Sequence, residues 1–307
     1  MKVYSPSQTS TWMRCPVLRA LRHEGWTSKY VGRPFWAATL GQGFAAGVGV
    51  YNNLRKDREA LGQPAPARTL SGRVTLANAA AAVAISVIDQ RLNEAERLGV
   101  VIDAEGVDYV KTIHTRAAKA VTAYVVSDPL PDTWRIVAVE ESLGPEAGNA
   151  RPDAVVRDTM GLAILDYKSK LTLNAQYRQK TINEFANGHQ FLHYGHFGAL
   201  KYQEPIDRYY IGLAVFEPRW AFDLLPFPLN AETQKVWFQG ASVAWAAMEK
   251  EDLGLQAPWM SDRHSDQYGQ CPMYKACFVH HFDAALMKQD YLLTERVPEE
   301  VPNEEAV

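Results

Sequence analysis

A short apolar run that ends in charge limits this chain more than any other feature. Leu162-Ala163-Ile164-Leu165 passes directly into Asp166-Tyr167-Lys168. Residues 162–168 read as a strand, and so do residues 154–157 just before them. Asp158-Thr159-Met160-Gly161 between them is a tight-turn sequence, so a hairpin is expected. Successive side chains of a strand point to opposite faces. Asp166 and Lys168 therefore project together, while Leu165 and Tyr167 face the other way. The hairpin also carries Asp153, in Pro152-Asp153, alongside them. Two carboxylates and a lysine thus converge at the end of an otherwise apolar hairpin.

Each of these groups has a use in phosphoryl chemistry. Carboxylate oxygens are the ligands a hard cation such as Mg²⁺ takes, usually with retained waters and substrate phosphate. A cation held there lowers the pKa of a water and offsets charge on the phosphoryl oxygens. A lysine beside it orients the attacking water. A bare Asp-x-Lys also fits a surface ion pair on a hairpin. Further on, Gln190 and Tyr194 stand four apart in a stretch expected to be helical. They share one face and could bond a bound water or a DNA backbone. An amphipathic helix surface has the same spacing.

The rest of the chain divides by character. Helices are expected over 35–62, 75–98 and 106–126, the second alanine-rich and suited to a packed scaffold. The glycines from Gly41 to Gly49 point to close packing or a kink. A strand follows at 134–140, then the hairpin, then a long helix over 174–200. A second hairpin pairs 209–216 with 220–227 and turns at Glu217-Pro218-Arg219, and a helix follows near 230–252. Ser5 or Ser7 would cap a short helix ending near Cys15-Pro16. The fold class is α/β, a small mixed sheet flanked by helices. Its regions are a helical part at 1–130, a core with a C-terminal cysteine segment at 131–290, and an acidic, flexible tail at 291–307.

The 307 residues suffice for one large domain or two small ones. At 47% hydrophobic and 22% charged they suit a soluble globular protein. No apolar run looks long enough to cross a bilayer and the start lacks a secretory signal, so a cytoplasmic protein without membrane contact is expected. A net charge of −3 supplies no global field for nucleic acid. That argues against a passive DNA coat, but not against an enzyme that confines its cations to one groove.

In this order and at these distances the motifs resemble the PD-(D/E)XK nuclease superfamily, in particular its RecB-type and CRISPR-associated adaptation nuclease branch. That branch has an Asp after glycine or proline, a hydrophobic strand ending in Asp-Tyr-Lys, and a Gln-x-x-x-Tyr helix. Here these are Pro152-Asp153, Ile164-Leu165-Asp166-Tyr167-Lys168 and Gln190 with Tyr194. The opening Ser5-Pro6-Ser7-Gln8, with Trp12 and Cys15-Pro16, is similar too. The match runs from residue 5 to residue 277 in islands. It implies a restriction-endonuclease-like core that hydrolyses DNA phosphodiester bonds and leaves 5′-phosphates. It further implies an exonuclease acting on single-stranded DNA or free ends, in recombination, repair or phage replication, with recombination or replication proteins as partners. Mg²⁺ or Mn²⁺ would be held by Asp153, Asp166 and the backbone carbonyl of Tyr167. Lys168 would act on the water, and Gln190 and Tyr194 would support the site.

The chain departs from the branch at two places. Gly41-Gln42-Gly43-Phe44-Ala45 sets alanine where the branch carries a metal-binding histidine, so either the metal makes do with fewer protein ligands or Glu140 or Glu141 contributes. Many members also hold a [4Fe–4S] cluster on four cysteines. Cys15, Cys271 and Cys277 fall on three of those positions and Tyr268 on the fourth, where Asp266 or His264 would stand in. Three reduced, buried cysteines are the other reading, since three are too few for a disulfide framework.

Two further readings stay open. A DNA-binding or assembly factor could keep the fold with cleavage weakened. Lys170, Arg178 and Lys180 would join Lys168 on phosphates in either case. A zinc hydrolase would use His189 and His193, four apart on a helix, though Gln190 stands where such a site needs a glutamate base.

Overall fold

The structure, a computed structural model, describes residues 21, 26–28, 30–31, 33–63, 70–102, 104–144, 150–173, 178–180, 182–183, 189–250, 265–266, 269–270, 276 and 283–293. In chain order these form β1 (Trp26–Ser28), β2 (Tyr30–Val31), α1 (Arg33–Ala60), α2 (Leu70–Arg97), β3 (Val101–Ile102) and α3 (Ala104–Ser127). There follow β4 (Arg135–Val139), β5 (Ala154–Asp158), β6 (Gly161–Thr172), α4 (His189–Tyr202), β7 (Ile206–Glu217), β8 (Ala221–Pro228) and α5 (Ala231–Lys250). The last are β9 (Ser265–Asp266), β10 (Gly269–Gln270), α6 (Ala284–Asp290) and β11 (Tyr291–Leu293).

The long helices form where apolar residues recur at helical spacing. In α1, Trp36, Leu40, Phe44, Val48 and Tyr51 follow one another every three or four positions and are all buried. α2 sets Ala77, Ala80, Ala84 and Ile88 into the same core. Glycine lets the helices approach. A Cβ on Gly43 would lie 2.8 Å from Ile88 Cγ1, and one on Gly47 2.7 Å from Val121 Cγ2 and 2.8 Å from the Ala80 carbonyl oxygen. The glycine cluster therefore serves close packing, and α1 runs unbroken through it. Gly72–Arg97 within α2 is, by length and composition, apolar enough to span a bilayer. This corrects the expectation that no stretch reaches that length. Alanine raises its hydropathy, and its buried residues meet α1 and α3.

The sheet has the order β4-β5-β6-β7-β8. β4, β5 and β6 form an antiparallel meander, β6 and β7 run parallel, and β7 and β8 close as a hairpin. The parallel step needs a crossover between strands, and α4 lies within it. The strands split their side chains between two helical layers. Ala154, Val156, Ala163, Leu165, Tyr167 and Ala214 pack with α1–α3. Val155, Leu162, Ile164, Ile211 and Leu213 pack with α4 and α5. Cover on both faces is why residues 162–165 read as an unbroken apolar run. α1–α3 share a core with the sheet.

β6 extends to Thr172, four residues past its expected end, because β7 keeps pairing with it through Thr172↔Glu217. β5 begins at Ala154, opposite Leu165, so the far half of β6 has β7 alone beside it. The expected helix over 174–200 is described as α4, with further helical residues at 178–180 and 182–183; residues 174–177, 181 and 184–188 lie outside the described set. The tail assigned to 291–307 is corrected at its start. Tyr291–Leu293 is a strand paired antiparallel with Trp26–Ser28, and Tyr291 is buried. Cys15, Cys271, Cys277, His264, Tyr268 and the helix expected after Ser5 lie outside the described residues.

Candidate active site

The two aspartates meet where the meander ends. Asp153 is the residue before β5, and the pairing of Ala154 with Leu165 sets it across from Asp166. Asp153 Oδ2 accepts a hydrogen bond from the Tyr167 backbone N–H at 2.5 Å. This bond pins one carboxylate to the strand that bears the other. Asp166 is buried, and its Oδ2 lies 2.6 Å from Lys168 Nζ, with which it shares a face of β6. Apart from that ion pair, Asp166 Oδ2 has no hydrogen-bond partner among the described residues.

α4 closes the site from the next layer. Gln190 Oε1 accepts from Lys168 Nζ at 3.1 Å, while Gln190 Nε2 donates to Asp166 Oδ1 at 3.2 Å and to the Tyr194 hydroxyl at 2.7 Å. One amide thus bridges the carboxylate, the ammonium and the phenol. Lys168 Nζ also lies 5.9 Å from the centre of the Phe191 ring. The hydrogen on Tyr194 Oη has no acceptor among the described residues. All five expected catalytic side chains are therefore in one cluster.

Tyr167 holds the strand from behind. Its hydroxyl is joined to Tyr124 Oη at 2.7 Å and accepts from Asn52 Nδ2 at 2.9 Å. These bonds tie β6 to α3 and α1 on the face opposite Asp166. Nothing in the spacing of Asn52 or Tyr124 announced that role.

Of the two glutamates expected near the site, Glu140 is the one beside it. Its backbone N–H donates to the Asp153 carbonyl at 3.1 Å. It sits at φ 48°, a left-handed conformation uncommon for a residue with a side chain. Glu141 instead accepts from Tyr202 Oη and pairs with Lys201 Nζ at 2.9 Å. α1 passes close by: a Cβ on Gly49 would lie 3.9 Å from Glu140 Oε1, and one on Gly41 2.7 Å from Ser169 Oγ. Ala45 falls midway between those two glycines at helical spacing.

The electrostatics follow from three carboxylates facing one ammonium. Burial first, and the Asp166 charge second, push the Asp153 carboxyl well above its ordinary range; Glu140 adds to the same effect. Burial alone would lower the Lys168 ammonium, but the Asp166 charge and hydrogen bond beside it outweigh burial and raise it. The cluster thus holds excess negative charge and one buried carboxylate oxygen with lone pairs to spare. A divalent cation would satisfy both. Among the described residues no three His, Cys, Asp or Glu side chains are arranged to hold a metal ion. Two carboxylates completed by waters and phosphate is, however, a usual way of holding Mg²⁺.

The outlying candidates differ. Lys170 and Lys180 lie along the same stretch, Lys180 exposed, whereas Arg178 Nη2 donates to Asp223 Oδ2 at 2.7 Å. His189 is exposed, while His193 is fully buried among the rings of Phe197, Trp237 and Trp245. Asp266 lies in β9, in a two-stranded ladder with β10.

The class of protein defined by fold and site is α/β: a five-stranded mixed sheet between helical layers, with an acidic, lysine-bearing centre. Compared with known proteins, the chain matches no family model and no curated protein.

Proposed function

We propose that this chain is a divalent-metal-dependent deoxyribonuclease of the PD-(D/E)XK type. The observation that carries the reading is Gln190. It bonds Asp166, Lys168 and Tyr194 at once, and Asp153 is bonded to the Tyr167 N–H between the first two, so the three motif segments meet as one polar unit. Asp153 and Asp166 would hold Mg²⁺ or Mn²⁺, with the Tyr167 carbonyl assisting. When bound, the ion supplies Lewis acidity and a more acidic water. The chain's own groups do the rest. Lys168 keeps its proton and sets a positive charge beside the attacked phosphate. Gln190 fixes the Lys168 ammonium and the Asp166 carboxylate relative to each other. Tyr194 offers a hydroxyl proton to a phosphate oxygen. An exonuclease on single strands or free DNA ends, leaving 5′-phosphates, is the form of the reaction proposed. DNA as substrate implies a cytoplasmic setting and recombination or replication proteins as neighbours.

A nuclease assay on single- and double-stranded DNA with Mg²⁺ or Mn²⁺ tests this. Lys168→Ala should lower the cleavage rate by about 10²–10³-fold, the cost of removing one charge-stabilising donor. If wild type and Lys168→Ala digest DNA equally poorly, the enzyme reading fails. One observation favours a second reading, a DNA-binding or assembly factor with weakened cleavage: alanine occupies position 45, where the resembled branch carries a metal-binding histidine. Binding without any metal-dependent cleavage would establish that reading instead.

A further inference from the structure

A cleft of about 720 Å³ lies apart from the acidic centre, where α3 meets the β7–β8 turn and the far end of β6. Thr112, Thr115, Arg116 and Lys119 line it from α3 at helical spacing, so they form one wall. Phe216 and Trp220 form the other. Their rings are nearly parallel, 12° apart in plane with centroids 6.3 Å apart. Phe44 braces both, at 5.4 and 5.8 Å. The two rings are only partly buried and make a rigid aromatic shelf. Lys119 is exposed and makes no ion pair or hydrogen bond among the described residues. Arg116 spends Nε on Glu217 Oε1 at 2.8 Å, and its terminal amino groups bond nothing among the described residues.

Cations and hydroxyls on one wall and aromatic faces on the other suit a nucleotide unit, phosphate to the first and base to the second. Thr172 in the lining lies on the same strand as Asp166, about 20 Å further along at ~3.3 Å per residue. We infer that the cleft holds one nucleotide of a single DNA strand whose reacting phosphate lies at the acidic centre. The base stacks on Trp220 and Phe216, and the phosphate pairs with Lys119 and Arg116. This rests on the nuclease reading for its substrate class, and it adds a strand preference that the carboxylates do not supply. A base held in a duplex is already stacked and paired, so a single strand or frayed end is taken before a blunt duplex.

Fluorescence anisotropy in EDTA tests the cleft without cleavage. The probes are an oligothymidylate of about twelve nucleotides, within the span of known single-strand sites, and an abasic strand of the same length. Lys119→Glu should weaken binding of both probes about ten-fold and lower the salt slope by about one. Trp220→Ala should weaken the oligothymidylate at least about five-fold and leave the abasic strand unchanged, with Trp220→Phe retaining affinity. If Lys119→Glu binds both probes as wild type does, or wild type binds neither, the inference is overturned. So it is if Trp220→Ala weakens both probes alike while its thermal unfolding is unchanged. Cleavage that depends on Lys168 would survive those results. Loss of affinity in Lys119→Glu without any cleavage by wild type would instead keep the cleft and sink the nuclease reading.

Discussion

Gln190 uses both ends of its amide. Gln190→Ala removes the bond that positions Lys168 and the one that orients Asp166. Groups that orient a ligand rather than form one typically cost about 10–100-fold when removed. Cleavage by Gln190→Ala should fall by that much, with Gln190→Glu also impaired because a carboxylate cannot donate to Asp166. Rates at saturating Mn²⁺ would measure it. Asp153 makes a second prediction at this scale. Its folded-state pKa is raised, so the folded chain holds a proton that the unfolded chain has already released. That contribution is whole below the ordinary carboxylate pKa of about 4 and is lost as pH rises towards the raised value. In EDTA the Tm should therefore fall as pH rises through this window. Asp153→Asn should flatten that fall, be the more stable protein at pH ~8, and be inactive. A variant with the wild-type slope would remove Asp153 as its source. At this scale the sequence was informative where chemistry is local. Asp166 and Lys168 share a face because strands alternate, and that was readable. Which of Glu140 and Glu141 stands beside the site was not, since that follows from a left-handed residue at the end of β4 that no composition signals.

Elements repeat the lesson with different physics. The β5–β6 hairpin was legible because its turn and its alternation lie within a dozen or so residues of each other. The added length of β6 was not, because Ser169-Lys170-Leu171-Thr172 is strand only through β7, a partner more than forty residues away. The glycines of α1 are informative in the opposite sense. They weaken the helix as a helix and are needed where another element comes near. Gly47→Ala would press a methyl onto Val121 and the Ala80 carbonyl, and should cost about 1–3 kcal/mol. Gly240 in α5 has nothing within 4 Å of a Cβ, and Gly240→Ala should stabilise by about 0.5–1 kcal/mol. Denaturant midpoints of the two variants would test both signs at once. Opposite signs support close approach as the reason for the α1 glycines; two stabilising alanines would discard it.

At the scale of the whole molecule, the helical N-terminal part and the sheet are one packed body, and the chain's distant segments are stitched together by β1 and β11. Three-residue strands carry no periodicity, so this ladder was invisible in the sequence and residue 291 was read as the start of a tail. Tyr291 is 3% exposed, and its hydroxyl accepts from the Ala276 N–H at 3.2 Å. Tyr291→Ala should cost about 3 kcal/mol, as for other buried aromatics. An unfolding midpoint equal to wild type would show that the ladder contributes nothing. The same ladder has a consequence for how the protein is made. Every strand that carries the acidic centre lies between Arg135 and Pro228, but Trp26–Ser28 must wait for Tyr291–Leu293 to leave the ribosome. At about 5–20 residues per second that wait is roughly 13–53 s. During synthesis, then, the chain can assemble its charged centre before Trp26–Ser28 can be fastened to Tyr291–Leu293.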